Sequence, residues 1–477
     1  MLAFSWILTA FDELKMVKKK GVLFFLVLLF FVVSVKIFVP TYFLLYDDVD
    51  EFRDVDGHYY LAKYDSFFYL GDVIRGVDGR GLSFVGIGIY GLFGSLGLFW
   101  LPVFFGVLSC VVFYFVARKL FGLWPAFFAS LFFAFHPSSF FASAKGVFDT
   151  DFVIQFFEVC LIFSFFLFSK RKSWVFLVLS ISCGLSFFWD GWMFFLVLSV
   201  LVCVSVLAIK FGDKSQWIAS SMTVIVLVGS FLKVLDRFGF AINITNQLRP
   251  YNFLCLFDVV TLPLVFVLLG YYFFRSDDKF RTHLIFPAFC FVAVLGLFFM
   301  RFYYLAVPFV ALGLGFVLDK VKKPFLLGFG IVLFTLVFSN INQPLIFVED
   351  SIVDAVNDVD TGVVLGLWDL GNVYYGVSLV DVRLRAAPSR IDEFTKGMFL
   401  EPDVAIEYLD LLGYYENYSL VITSYDLEKF EVLSGLVGPR ITNGSMFKNF
   451  GGYFELQGFY DGVNTDLWVW KRKNRKV

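Results

Sequence analysis

Histidine is nearly absent from this chain, with three among 477 residues. That scarcity argues against a histidine-rich metal centre and against a histidine-based catalytic triad. The six cysteines, at 110, 160, 183, 203, 255 and 290, lie in or beside apolar runs and form no CxxC pair, so no disulfide framework or zinc ribbon is expected. No GxxxxGK[ST] phosphate loop, no HExxH and no GxSxG occurs, and no repeat recurs at solenoid spacing. The net charge is only −2, so nothing in the balance points to a nucleic-acid partner.

What is abundant is apolar surface. The chain is 59% hydrophobic, phenylalanine alone supplies 69 residues, and the mean hydropathy is +0.79. A soluble protein of this size cannot hide that much, so the expected class is a polytopic α-helical membrane protein. Spans fit residues 21–39, 98–117, 119–135, 152–168, 174–189, 192–209, 217–234, 255–274, 283–300, 302–318 and 324–341, about eleven in all. The stretch 82–97 reads as a re-entrant piece, and Arg301 divides the apolar run 284–318. Within the span cores Glu158 is nearly the only charge.

Basic clusters punctuate alternate connections: Lys18-Lys19-Lys20, Arg118-Lys119, Lys170-Arg171-Lys172, Arg275 with Lys279 and Arg281, and Lys320 with Lys322-Lys323. By the positive-inside rule these ends are cytoplasmic, and loops 40–97, 136–151 and 235–254 are extracytoplasmic. No small-residue cleavage site follows the first span, which reads as an uncleaved anchor. After residue 341 the composition turns polar, with strand-like runs at Val363-Val364-Leu365-Gly366 and Leu420-Val421-Ile422-Thr423 and helix-like stretches at 401–412 and 426–434. Residues 342–477 therefore read as a small extracytoplasmic α/β domain on a 1–341 transmembrane domain.

Wedged between two apolar segments is Gly146-Val147-Phe148-Asp149-Thr150-Asp151. Two carboxylates one residue apart at the mouth of a membrane helix are costly unless paired, metal-bound or functional, the bland alternative being a solvated loop. A D-x-D spacing offers oxygen ligands to a hard cation such as Mg²⁺ or Mn²⁺, and a first-loop aspartate (Asp54, Asp56 or Asp65) would complete a cage. Arg301, counted to the same surface, is suited to clamp a phosphate, unless it only snorkels at the interface.

These stretches together resemble the catalytic subunit of oligosaccharyltransferases, in its short single-subunit archaeal and bacterial form. His136-Pro137 through Asp149-Thr150-Asp151 looks like that family's second acidic motif, and Tyr64-Asp65-Ser66-Phe67-Phe68-Tyr69-Leu70 like its first. Arg301-Phe302, with Pro308 beyond, is similar to its Arg-Phe span entry. Leu367-Trp368-Asp369-Leu370-Gly371 is similar to WWDYG, and Asp426-Leu427-Glu428-Lys429 with Leu433 to its DxxK helix. Gln247 stands where the family has a loop glutamate, and Leu367 and Leu370 depart from WWDYG.

The resemblance implies a GT-C fold at the cell membrane, with active site and cap outside. It implies transfer of an oligosaccharide from a polyisoprenyl phosphate or pyrophosphate carrier to Asn in Asn-x-Ser/Thr. The expected partners are that lipid-linked donor, an acceptor polypeptide and membrane lipids, for a monomeric enzyme. Mn²⁺ or Mg²⁺ would be held by Asp65, Asp149, Asp151 and Gln247. Asp65, Asp149 and Arg301 would act in catalysis, Arg301 on the lipid phosphate, and Trp368, Asp369, Lys429 and Leu433 would bind the sequon. Two other readings fit part of the pattern: a different GT-C glycosyltransferase using a lipid-phosphosugar, and a transporter or scaffold whose acidic loops merely bind cations.

Overall fold

The computed structural model describes residues 19–44, 64–76, 81–170, 174–188, 195, 196, 199, 200, 203 and 307–338. In the C-terminal region it describes 355, 359, 363–366, 381–382, 406–410, 418–423, 453–460 and 467–473. Among the described residues, the N-terminal part contains the α-helices α1 (Lys19–Leu44), α2 (Tyr64–Arg75), α3 (Leu82–Phe121), α4 (Leu123–Phe135), α5 (Pro137–Ala142), α6 (Thr150–Lys170), α7 (Val175–Gly184), α8 (Val307–Lys320) and α9 (Pro324–Phe338). Among the described residues, two helices are long and apolar enough to cross a membrane, at Leu82–Phe121 and Thr150–Phe168. Shorter apolar helices run through Leu23–Ile37, Leu123–Phe135, Val175–Phe187 and Pro324–Leu336.

The helix boundaries differ from the sequence reading where glycine intervenes. The helix expected to end at 117 continues to Phe121, so Arg118 and Lys119 lie in its last turn, and the break falls at Gly122. Gly122 takes φ +91°, a left-handed backbone that glycine adopts without penalty. The stretch 82–97 is helical, and Gly94, at φ +63°, kinks α3 between that stretch and the long span behind it. The expected spans at 192–209, 217–234, 255–274 and 283–300 fall mostly or wholly outside the described residues.

α4 is the axis of the bundle. Every residue from Pro125 to Phe135 is buried, against α3, α8 and α9. Its aromatic contacts set the direction of the neighbours. Phe24 at the start of α1 meets Trp124 and Phe127, and Phe325 at the start of α9 meets Trp124 and Phe128. Both helices thus run alongside α4 in the same sense. α8 runs the opposite way, because Phe316 near its end packs on Phe121 at the head of α4. One end of the bundle consequently gathers Lys19, Arg118, Lys119, Lys170, Lys320, Lys322 and Lys323. The other end receives the close of α4, the start of α6 and the start of α8.

The C-terminal strands β1 (Val363–Leu365), β2 (Asp381–Val382), β3 (Tyr418–Thr423), β4 (Phe454–Tyr460) and β5 (Leu467–Arg472) form one mixed sheet in the order β2-β1-β3-β5-β4. β1 is parallel to β2 and β3, while β5 is antiparallel to β3 and β4. A clamp closes the sheet. Arg472 donates from Nε and a terminal nitrogen to both oxygens of Asp410, at 2.8 and 3.0 Å, and Tyr418 donates its hydroxyl to the same carboxylate at 3.0 Å. Burial and then the Asp410 charge push the Tyr418 hydroxyl far above its ordinary pKa, so it stays a donor.

Candidate active site

The chain passes from α4 to α6 through a short, heavily pinned segment. His136 closes α4 and Pro137 opens α5 at the first helical position, where its missing N–H costs nothing. After Ala142 the chain turns. Gly146 takes φ +81° and donates its N–H to the carbonyl of Phe99 on α3 at 2.9 Å. Val147 donates back to Ala144, and Asp149 back to Val147, at 3.2 and 3.0 Å.

Asp149 is the residue immediately before α6 and is 6% exposed. Its Oδ1 accepts the Thr150 N–H at 2.6 Å and the Thr150 hydroxyl at 3.3 Å, which fixes the plane of the carboxylate. Asp151 follows in the first turn of α6, where the helix dipole favours negative charge. The two acids therefore stand at one helix mouth with hard oxygen donors, a set that fits Mg²⁺ or Mn²⁺ better than a thiophilic ion. Among the described residues no three His, Cys, Asp or Glu side chains gather as a metal cage.

The first-loop helix α2 reaches this segment. Tyr69 stands edge-to-face on Phe148, with ring centroids 6.1 Å apart. Gly86 of α3 completes the joint: a Cβ there would lie 2.6 Å from Val73 Cγ2 and 2.9 Å from Phe148 Cζ. Ser83 of α3 donates to Asp72 of α2 at 3.1 Å, fixing the two helices further. Position 65 sits one helical turn before Tyr69, about 6 Å along the axis of α2.

The other expected site residues stand as follows. The side chain of Asp65 lies outside the described residues, as do Asp54, Asp56, Gln247, Arg301, Trp368, Asp369, Lys429 and Leu433. Arg301 precedes the first residue of α8 by six positions, and that end of α8 lies at the end of the bundle that carries Asp149. β1 and β3 are parallel neighbours, so their last residues, Leu365 and Thr423, lie toward the same edge of the sheet. A continuous cluster of buried apolar side chains joins Val364, Val421, Leu467 and Val469 of the sheet to Phe148, Phe152, Val73 and Leu98.

One cation in this segment escaped the sequence reading. Lys145, four residues before Asp149, is buried with its Nζ 5.7 Å from the Phe99 ring centre and 5.3 Å from that of Trp100. Burial lowers its pKa to about 8. A lone lysine between two apolar runs was the only signal available.

The family model described as "Oligosaccharyl transferase STT3, N-terminal" matches residues 96–346, more than half of the chain and the whole of the segment just described. The chain belongs to the STT3 family. Solved structures agree in fold. The Archaeoglobus fulgidus oligosaccharyltransferase tethered to an acceptor peptide with the NVT sequon is 11% identical. That match covers 94% of this chain and 74% of the other, at a TM-score of 0.57. Its complex with zinc and sulfate is 13% identical, covering 91% and 72% at 0.53. Archaeal AglB from the same organism, with an inhibitory peptide and a dolichol-phosphate, is 12% identical, covering 94% and 74% at 0.53. ArnT from Cupriavidus metallidurans in the apo state is 11% identical, covering 92% and 97% at 0.51. No curated protein matches the sequence. This STT3-family chain is a glycosyltransferase of polytopic membrane fold.

Proposed function

We propose that this STT3-family enzyme moves an oligosaccharide from a polyisoprenyl phosphate or pyrophosphate onto the amide of Asn in Asn-x-Ser/Thr, with a divalent cation, on the extracytoplasmic face. The observation that carries the proposal is the joint at Gly86, where Tyr69, four residues after Asp65, packs on Phe148, the neighbour of Asp149. The relatives support the partners: one is bound to a sequon peptide and another to a dolichol-phosphate. The extracytoplasmic placement is supported by the lysines and arginines at the opposite end of the bundle. With about eleven spans, the acidic segment and the sheet domain 342–477 share the outer face.

The acceptor amide is a poor nucleophile because its lone pair is delocalised. Asp65 accepts its N–H bonds and takes the proton released as the nitrogen bonds to the sugar anomeric carbon. The glycosidic C–O bond breaks with its electron pair going to the phosphate, whose oxygens Arg301 holds through a preorganised fork. Asp149 and Asp151, with Asp65 and Gln247, would hold Mn²⁺ or Mg²⁺. When bound, the ion neutralises charge on the departing phosphate; zinc occupies a structure of the Archaeoglobus relative. Trp368 and Asp369 hydrogen-bond the sequon hydroxyl, with the stems of Lys429 and Leu433 against a Thr methyl. The reading is supported by the parallel pairing of β1 and β3, whose carboxyl ends lie at one sheet edge, where open α/β sheets bind their ligands.

The test is purified protein with lipid-linked glycan and an Asn-x-Thr peptide, with and without Mn²⁺. Metal-dependent gain of peptide mass is expected, and a peptide that never gains mass sinks the reading. The ArnT likeness keeps a second reading, sugar transfer to a lipid or hydroxyl acceptor. In that case Trp368→Ala would leave transfer unchanged.

A further inference from the structure

A lysine inside the first helix bears on the acidic segment. Lys36, on α1, is 1% exposed, and its Nζ donates to the Ser143 hydroxyl at 2.6 Å across 107 residues of sequence. The ammonium also lies 5.1 Å from the ring centre of Phe140 on α5. Ser143, itself 1% exposed, donates its hydroxyl to the carbonyl of Ser139 at 2.9 Å. The joint admits nothing larger. A Cβ on Gly106 of α3 would lie 2.6 Å from Ser143 Oγ and 3.1 Å from Lys36 Cε. Three elements, α1, α3 and the end of α5, thus meet at the residue where the chain begins the turn that finishes at Asp149.

An ammonium at membrane depth is expensive, and a neutral hydroxyl repays little of that cost unless the contact serves something further. From Ser143 onward the turn is linked by backbone hydrogen bonds of 2.9 to 3.3 Å, including the Gly146 tether to Phe99, so a shift of its first residue is carried toward the Asp149 carboxylate. We propose that Lys36 is a positioning residue for the divalent-cation site: through Ser143 it holds the 143–149 turn, and hence Asp149, in the geometry that binds the ion. The inference rests on the reading of Asp149 and Asp151 as metal ligands.

The experiment is direct titration of full-length protein in detergent with Mn²⁺, following loss of the free-ion electron paramagnetic signal. Lys36→Met and Ser143→Ala are each expected to weaken Mn²⁺ binding about tenfold to a hundredfold, the range typical of residues that orient a ligand from behind. Because both remove the same hydrogen bond, the double variant weakens binding no further. Peptide KM stays at the wild-type value, and saturating Mn²⁺ restores turnover, which a merely destabilised protein would not show. If Lys36→Met does not fold, Ser143→Ala carries the same comparison with a smaller change. Wild type that binds Mn²⁺ alongside variants that bind it equally well overturns this inference alone. Wild type that binds no Mn²⁺ overturns the metal reading and this inference with it.

Discussion

Two nearly hidden carboxylates, Asp149 at the mouth of α6 and Asp410 beside the C-terminal sheet, accept different hydrogen bonds. Asp410 receives the planar fork of Arg472 and the hydroxyl of Tyr418, a charge met by a charge with full geometric match. Asp149 Oδ1 takes its bonds from the adjacent Thr150, a backbone N–H and a neutral hydroxyl. The Asp149 carboxylate stands at the end of the bundle away from the basic clusters. Its proposed role as a metal ligand, and a structural role for Asp410, are separable by substitution.

The contrast can be broken in order of effect. Asp410→Ala should cost about 3–5 kcal/mol of stability, because it leaves the half-buried Arg472 guanidinium and the buried Tyr418 hydroxyl without their shared acceptor. A lowered thermal midpoint is expected, with the Mn²⁺ affinity of the surviving folded fraction unchanged. Asp149→Ala should do the reverse. Turnover in the peptide assay falls about 10²- to 10³-fold, roughly 3–4 kcal/mol, while the midpoint barely moves. If both variants lose stability alike, the division of roles is wrong.

Gly86→Ala tests the joint between the acidic motifs. The added methyl meets Val73 and Phe148, and overpacking of this kind costs about 1–3 kcal/mol. Turnover should fall by more than the stability loss explains, since α2 is pushed off the turn.

The smallest effect is a pH signature. Lys145 has its pKa lowered from 10.5 to about 8, so between those values the unfolded chain binds more protons than the folded one. Unfolding free energy must then rise with pH across that window. Relative to Lys145→Met, wild type should gain stability from pH 8 to about 10.5 and show a flat difference below 8. A flat difference throughout would remove Lys145 from its buried setting over Phe99 and Trp100.

Much of this was legible locally. The runs 363–366 and 420–423 read as strands and emerged as β1 and β3, because unbroken β-branched and apolar stretches have few other ways to bury themselves. The span read at 152–168 became α6 with its start at Thr150, since an acid at the first turn and apolar residues beyond mark a helix entry. α3 ends four residues beyond 117, where the basic pair that follows offers a stop in the sequence: Gly122 breaks the helix by backbone conformation and leaves Arg118 and Lys119 inside it.

Composition and charge spacing were enough to establish a membrane bundle with basic residues at one end and an acid pair at a helix mouth. These depend on properties each residue carries wherever it sits: hydropathy, charge and helix-terminus preference. Which side chains meet was another matter. Lys36 on Ser143, Tyr69 on Phe148 and Arg472 on Asp410 join residues 107, 79 and 62 positions apart. A contact of that kind exists only once packed helices and strands bring distant backbones within a few ångströms, and no local pattern in the chain announces it.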